Sequence, residues 1–202
     1  MSTMLHNPFV DVPGLLRQAC RTVPGAAATE AGVTVHDVHE YLGYHEWEIA
    51  LDILAELGDA TPTTAEWWQL LQDAAMAMQR TRMAAWCGWR RWEAVHGIIR
   101  ADLALFATDN SGRRTPIPGA GVLRPLWAIG HHTPAGEPDL RIARIWVENA
   151  SELVPGTTGS IRLAPLDPTA WSHLRPGDLI TMHESRPPAG TAMIVKVAPG
   201  RR

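Results

Sequence analysis

The spacing of apolar residues changes once along this chain, near Val95, and this change limits the folds that the sequence can adopt. Before Val95, apolar residues recur every three or four positions, which is typical of amphipathic helices. After it, they fall in short runs separated by turns rich in proline and glycine, which is typical of antiparallel β-structure. We therefore predict an α+β protein of two domains, a small helical bundle over residues 1–94 and a six-stranded antiparallel β-barrel over residues 95–202.

Three or four helices are predicted between residue 15 and about residue 92. Thr34, with Asp37 three positions later, is predicted to cap the start of one helix. Gly43 and Gly58 are predicted to end helices, because glycine readily adopts the left-handed conformation found there. Thr63 with Glu66 has the spacing of a capping box for the next helix, which could continue into the segment 86–92.

The β-type runs of the second half are regular in length and spacing. Short strands of this kind, joined by turn signals, favour closure into a barrel. The six runs cover about residues 98–107, 123–130, 140–148, 158–164, 178–183 and 191–197.

One stretch of the predicted bundle carries charge of a single sign. No lysine or arginine lies between Arg21 and Arg80, whereas the whole chain has a net charge of only −3. A one-signed helical surface favours a basic partner, because complementary potentials speed association. An ordinary solvated surface is the alternative interpretation. The carboxylates of this stretch are Glu30, Asp37, Glu40, Glu46, Glu48, Asp52, Glu56, Asp59, Glu66 and Asp73.

A helix predicted from His45 or Glu46 to Leu57 places part of this charge in a row. Its apolar residues form one stripe: Trp47, Ala50, Leu51, Leu54 and Leu57. Glu48, Asp52 and Glu56 recur every four residues on the other side. We predict the partner-binding site there, with Tyr41, Tyr44, Trp67 or Trp68 as an aromatic anchor. The predicted site residues are Asp37, Glu40, Tyr44, Glu48, Asp52, Glu56 and Asp59.

Histidine and cysteine patterns predict neither a metal site nor a catalytic nucleophile. His36, His39 and Glu40 have a spacing that can place ligands on one helix face, but the pattern is not HExxH and no cysteine cluster accompanies it. Cys20 and Cys87 have no CxxC partner, so two free thiols in a reducing compartment are expected. A second histidine group, His131-His132, falls in a predicted loop. Ser160 and Ser185 lack a nucleophile elbow.

The segment Trp86-Cys-Gly-Trp-Arg-Arg-Trp92 mixes cations with aromatic rings. Such a mixture can hold single-stranded nucleic acid by stacking. The alternative, which we favour, is that these tryptophans are buried. Nucleic acid is therefore not expected as the main partner.

The remaining patterns bear on membranes, targeting and cofactors. The first residues lack a basic region followed by a long apolar stretch, and no run approaches the ~20 apolar residues that cross a bilayer. We expect a cytoplasmic protein without a membrane partner. No Gly-x-x-x-x-Gly-Lys-Ser/Thr loop is present, so neither a nucleotide nor another cofactor is expected.

The β-rich half resembles the third domain of elongation factor Tu over about residues 98–197. The resemblance implies a barrel fold. It does not imply tRNA binding, because the family's Gly-Tyr-Arg-Pro stretch appears here without its tyrosine, as Gly121-Val-Leu-Arg-Pro125, and the segment 184–190 is altered. The motifs that carry the resemblance are Ala101-Asp-Leu103, Gly112-Arg-Arg-Thr-Pro116, Val154-Pro-Gly156, Ile161-Arg-Leu-Ala-Pro165, Arg175-Pro-Gly-Asp178 and Gly190-Thr-Ala-Met-Ile-Val195.

The helical half resembles MafI-like immunity proteins of bacterial polymorphic toxin systems over about residues 33–80. The likeness rests on Val38-His-Glu-Tyr-Leu42, Glu46-Trp-Glu-Ile-Ala-Leu-Asp-Ile-Leu54 and the turn Thr61-Pro-Thr-Thr-Ala-Glu66. Immunity proteins have no enzymatic activity, and each binds and blocks one toxin domain. This resemblance therefore implies a binding function.

Together these features predict a non-enzymatic immunity protein that neutralises a cognate toxin through the acidic helical face. The expected partner is a basic toxin domain, for example a nuclease, because nucleases must bind phosphates. The alternative is a translation-linked module that associates with RNA or the ribosome through an elongation-factor-Tu-like barrel. A small enzyme that uses the histidine cluster is a third possibility.

Overall fold

The structure is a computed structural model that describes residues 10–108, 113–184 and 187–200. The turn predicted at residues 109–112 and Ser185 lie outside these ranges. The described residues form five α-helices, followed by eight β-strands and a short 3-10 helix. The protein is therefore an α+β protein with a barrel. By its internal packing the chain divides into two compact units, Met1–Ala94 and Val95–Arg202, and each has its own apolar core.

The helical unit consists of α1 Val12–Cys20, α2 Val35–Gly43, α3 Trp47–Ala60, α4 Ala65–Ala77 and most of α5 Thr81–His96. The stripe predicted for α3 is confirmed, because four of its residues are buried and the fifth, at the first position of α3, is half-buried. None of the helices in the described ranges has both the length and the apolar content that crossing a bilayer requires.

The start of α2 follows the predicted capping pattern. The Thr34 hydroxyl oxygen accepts a hydrogen bond from the His36 amide at 3.3 Å, and Asp37 Oδ2 accepts one from the Thr34 amide at 2.7 Å. These bonds satisfy amides that the first turn of a helix leaves without partners. The start of α4 differs from the prediction by one residue, since Thr64 rather than Thr63 accepts from the Trp67 amide at 3.2 Å.

Gly43 and Gly58 do not take the left-handed conformation that was predicted for them, and the left-handed residues after α2 and α4 are not glycines. Gly43 is the last residue of α2, and His45 takes the positive φ of 61°. Gln79, with φ 58°, has the same role after α4. The Arg80 amide there bonds to the Ala75 carbonyl at 2.9 Å, which closes the helix end. For this reason α4 and α5 are separate helices.

Gly58 does not end α3, which continues to Ala60. A Cβ at Gly58 would lie 2.5 Å from a ring carbon of Trp67 on α4, so this glycine leaves room for the indole. The Trp67 Nε1–H in turn donates to the Ala19 carbonyl at 3.0 Å. One tryptophan thus contacts both α1 and α3, and the position of Gly58 is set by packing.

The second unit is a closed six-stranded barrel with the strand order β1-β6-β4-β3-β7-β8, in which all neighbours are antiparallel. The prediction of six barrel strands is confirmed. Two further strands of two residues, β2 and β5, pair with each other. The strands are β1 Gly97–Leu105, β2 Ile117–Pro118, β3 Leu126–His132, β4 Pro138–Val147, β5 Glu152–Leu153, β6 Thr158–Pro165, β7 Leu179–His183 and β8 Gly190–Pro199.

Alternate residues of the strands fill the barrel. In β1 the buried positions are Ile99, Ala101, Leu103 and Leu105, as the two-residue period of a strand requires. The 3-10 helix, Pro168–Trp171, adds a fully buried indole. This indole belongs to Trp171, and its ring centroid lies 6.4 Å from that of Trp127 in an edge-to-face arrangement, which is favourable for aromatic pairs.

We expect Gly58→Ala to lower the free energy of unfolding by about 1–3 kcal/mol, because the added methyl group must displace the Trp67 ring. Gly43→Ala is the matched control. Nothing lies within 4 Å of a Cβ at Gly43, so alanine should leave stability unchanged or raise it by up to about 1 kcal/mol. Urea denaturation followed by circular dichroism measures both changes. Equal stability of the two variants would contradict the packing role of Gly58.

Candidate partner-binding surface

Helices α2 and α3 and the residues that flank them carry the seven predicted partner-binding residues. The structure gives these residues different surroundings, so they do not act as one uniform surface. Asp37 and Asp52 are half-buried and the other five are exposed. The seven are Asp37, Glu40, Tyr44, Glu48, Asp52, Glu56 and Asp59.

Asp37 is occupied by its capping role. Its carboxylate accepts from the Thr34 amide at 2.7 Å and from the Thr34 hydroxyl at 2.8 Å. Both hydrogen bonds lower the pKa of Asp37 below its ordinary value, and the one from the Thr34 amide has the larger effect. The stabilisation that these bonds give is present above the unfolded pKa and is lost as the pH falls through the lower folded pKa. Asp37 therefore serves the fold first.

Asp52 is paired with a base that lies just beyond the base-free stretch. Arg80 Nη1 is 3.0 Å from Asp52 Oδ2 and also donates to the Glu48 carbonyl at 3.2 Å. The left-handed residue Gln79 turns the chain back and places Arg80 there. No lysine or arginine within the stretch relieves the repulsion between the carboxylates of Glu48, Asp52 and Glu56, which lie four residues apart. Arg80 relieves it from outside.

Asp59 belongs to an internal network around Arg90. Arg90 Nε lies 2.9 Å from Asp59 Oδ1, and Arg90 Nη1 donates to Glu93 Oε2 at 2.6 Å. The same guanidinium lies 5.1 Å from the ring centroid of Trp68 and 5.6 Å from that of Trp86. Asp59 thus neutralises part of a nearly buried cation and is less available to a partner.

The remaining residues form what we call the open acidic surface: Glu40, Tyr44, Glu48 and Glu56, together with Ile49. The side chains of Tyr44, Glu48 and Glu56 make no hydrogen bond or ion pair with any residue in the described ranges, and Glu40 has only the exposed His36 at 3.6 Å. Ile49 is 41% exposed, although the sequence analysis did not assign it to the site. The sequence could have shown this, because Ile49 is an apolar residue of the predicted helix that lies outside the buried stripe.

Of the four aromatic anchors that we predicted, the structure exposes one. Trp67 and Trp68 are buried with their ring centroids 4.9 Å apart, so neither reaches a partner. Tyr41 is half-buried against the helical core. Tyr44 is 77% exposed and is the aromatic residue that remains for an anchor.

The histidines between residues 10 and 200 that the structure describes form no cluster of metal ligands. No group of three or more His, Cys, Asp or Glu side chains in the described part of the chain could hold a metal ion. His131 and His132 end strand β3 and do not lie in a loop, contrary to the prediction. His131 Nε2 is 3.1 Å from the Ala170 carbonyl oxygen, and the His131 ring centroid is 4.5 Å from that of His173.

Neither cysteine has the properties of a nucleophile. Burial raises the pKa of Cys20 to about 11. Burial is the main cause that raises the pKa of Cys87 to about 12, and the negative charge of Asp59 is the second. A thiol is a nucleophile only as the thiolate, so both side chains are unreactive at neutral pH. Ser160 donates its hydroxyl hydrogen to Asp102 Oδ1 at 2.8 Å.

Part of the aromatic and cationic segment 86–92 is buried in α5. Trp89 is 2% exposed, and its Nε1–H donates to Glu93 Oε1 at 2.9 Å. Arg90 is 8% exposed and makes the network described above. These two residues are therefore not available to stack with bases or to bind phosphates.

Comparison with known proteins assigns no family to this chain. No protein-family model matches the sequence, and no curated protein matches it.

Carboxylates that pair with an arginine, such as Asp52, and those of the open acidic surface, such as Glu56, should differ in their effect on stability. We expect Asp52→Asn to lower the free energy of unfolding by up to about 1 kcal/mol, because it removes a partly exposed ion pair with Arg80. Glu56→Gln is the matched control and should change the free energy of unfolding by no more than about 0.5 kcal/mol. The Glu56 carboxylate has no partner among the described residues and repels Asp52, four residues earlier. Urea denaturation measures both. A larger loss in Glu56→Gln than in Asp52→Asn would refute this division.

The thiols provide a second test. We expect iodoacetamide at about pH 8 to leave Cys20 and Cys87 unmodified in the folded protein, because almost no thiolate is present. The same treatment in denaturant should modify both cysteines, as counted by mass spectrometry. Rapid modification of the folded protein would contradict the burial of these side chains.

Proposed function

We propose that this protein is a non-enzymatic immunity protein that binds and neutralises a cognate bacterial toxin through its helical unit. The observation that carries the proposal is the open acidic surface. Its carboxylates Glu48 and Glu56 have no partner among the residues that the structure describes, and exposed Tyr44 and Ile49 lie in the same part of the helical unit. Apolar and aromatic anchors among charged residues are typical of interfaces in which a few residues supply most of the binding energy.

The expected partner is a basic toxin domain, and a nuclease is the class that fits best. A nuclease binds phosphates with Lys and Arg, so its active-site cleft is positively charged. A row of helical carboxylates can occupy such a cleft in place of the nucleic acid. The complementary potentials would speed association and make it sensitive to salt.

The resemblance to MafI-like immunity proteins covers residues 33–80, which contain α2, α3 and α4. Two of these helices, α2 and α3, carry the open acidic surface, so the resemblance and the geometry favour the same part of the chain. In this proposal the barrel is of the elongation-factor-Tu domain-3 type and forms a second domain. The two free thiols fit action in the reducing cytoplasm.

A second candidate function is a translation-linked module that associates with RNA through the barrel. The observation that favours it is a pair of arginines that lie opposite each other in the barrel unit, because arginine side chains bind phosphates. Ala143 and Ile145 of β4 bond to the carbonyls of Pro125 and Leu123, which places Arg124 opposite Arg144. Burial and the charge of Arg124 lower the pKa of Arg144. The burial of Trp89 and Arg90 removes two other residues that could have served this function.

A charge-reversal experiment tests the leading proposal. The partner to use is the C-terminal domain of a large secreted protein sought in the neighbouring open reading frame, co-expressed with this protein in bacteria. We expect Glu48→Lys with Glu56→Lys to weaken binding by tenfold or more and to abolish protection, since both charges lie in the interface. Neither side chain pairs with a residue of the described ranges, so we expect the double variant to remain folded, as measured by circular dichroism.

Glu152→Lys is the matched control, because Glu152 is an exposed carboxylate of the barrel unit. It should protect as the wild type does. Full protection by the Glu48/Glu56 variant would refute the acidic surface as the binding site. A partner that is captured by the wild type and released by ribonuclease would favour the RNA-associated module.

A further inference from the structure

A pocket of about 260 Å³ lies in the helical unit, between the end of α1 and the start of α4. Three segments line it: α1 with the turn after it, the connection between α3 and α4, and the first turns of α4. The sequence gives no sign of it, because these segments are up to about fifty residues apart. The proposed function does not use these residues.

Part of the pocket lining is apolar. It consists of Pro62, Leu70 and the small part of Trp67 that reaches the surface, since Trp67 is 4% exposed. The Trp67 Nε1–H is already bonded to the Ala19 carbonyl, so Trp67 gives the pocket no unsatisfied donor. An extended apolar group, such as the methylene chain of a long side chain, therefore fits against this lining.

The rest of the lining is polar, and its charge is negative. Gln18, Thr22 and Thr63 contribute an amide and hydroxyl groups, and Glu66 contributes a carboxylate. Hydrogen bonds lower the pKa of Glu66, so this carboxylate is ionised at neutral pH. The bond from its own backbone amide has the larger effect and the bond from the Thr64 hydroxyl the smaller. The amides at the start of α4 already have Thr64 and Glu66 as partners, which disfavours an anion as the ligand.

We propose that this pocket receives one arginine side chain of the basic partner, with its guanidinium at Glu66 and its methylene chain against Pro62 and Leu70. A guanidinium donates up to five hydrogen bonds in a plane, for which the carboxylate, amide and hydroxyl groups of the lining supply oxygen acceptors. The volume is below the range of about 300–1,000 Å³ typical of sites for whole small molecules, and it suits a single side chain. The identity of the partner rests on the proposed function, whereas the pocket itself can be tested without that partner.

The test is an NMR titration of the full-length protein with N-acetyl-arginine amide at constant ionic strength. N-acetyl-citrulline amide, which has the same shape but no charge, is the matched probe. We expect saturable shifts of the Trp67 and Leu70 signals, with a dissociation constant on the order of 1 mM for so small a ligand. The citrulline probe should bind about three- to fivefold more weakly, as expected for the loss of one exposed charge pair.

Two variants and one control complete the test. Glu66→Gln should weaken binding of the arginine probe by about three- to fivefold and leave binding of the citrulline probe unchanged. Gln18→Trp should fill the pocket and abolish binding of both probes, and it alters an exposed side chain that the fold does not use. Glu152→Gln, at an exposed carboxylate that does not line the pocket, should bind both probes as the wild type does.

Equal binding of the two probes, or shifts that do not reach Trp67 and Leu70, would overturn the inference. The absence of saturable shifts up to about 20 mM probe, far above the expected dissociation constant, would do the same. None of these results affects the toxin-binding proposal, which is tested by protection. If Gln18→Trp retains full protection while the Glu48/Glu56 variant loses it, the pocket receives no partner side chain and the acidic surface remains the binding site.

Discussion

The buried guanidinium of Arg90 is the interaction on which the helical unit depends. It lies between Asp59 of α3 and Glu93 of α5 and next to the ring of Trp68 on α4, so one side chain joins three helices. Glu93 is 2% exposed and Arg90 is 8% exposed. Removal of one partner from such a buried pair leaves an uncompensated charge, which typically costs about 3–5 kcal/mol. The network therefore fixes how these helices pack.

This packing decides which acidic residues are available for binding. Asp59 is held by Arg90 and Asp52 by Arg80, whereas Glu48 and Glu56 pair with no residue in the described part of the chain. The base-free stretch thus contains carboxylates that stabilise the fold and carboxylates that are open to a partner. Charge counted along a sequence overstates the charge that a surface presents, because arginines from outside the stretch neutralise part of it.

Features that depend on local sequence were predicted well. The buried stripe of α3 and the six barrel strands follow from residue spacing, and the Thr34 cap needs only its neighbour at Asp37. Predictions failed where distant residues decide. Gly58 resembles a helix end, but the Trp67 indole requires it within α3. His45 takes the left-handed position that Gly43 was expected to hold. The pairs of Arg80 and Arg90, and the pocket beside Trp67, join segments whose proximity no spacing rule reveals.

The central claim is that the exposed side of α2 and α3 is the surface that binds the partner. Hydrogen exchange of backbone amides, measured with and without the bound toxin domain, tests it most directly. The account predicts slower exchange in the partner-bound protein from the end of α2 through α3, around Tyr44, Glu48 and Glu56, and unchanged exchange in the barrel strands. Slower exchange confined to the barrel, with α2 and α3 unchanged, would contradict it.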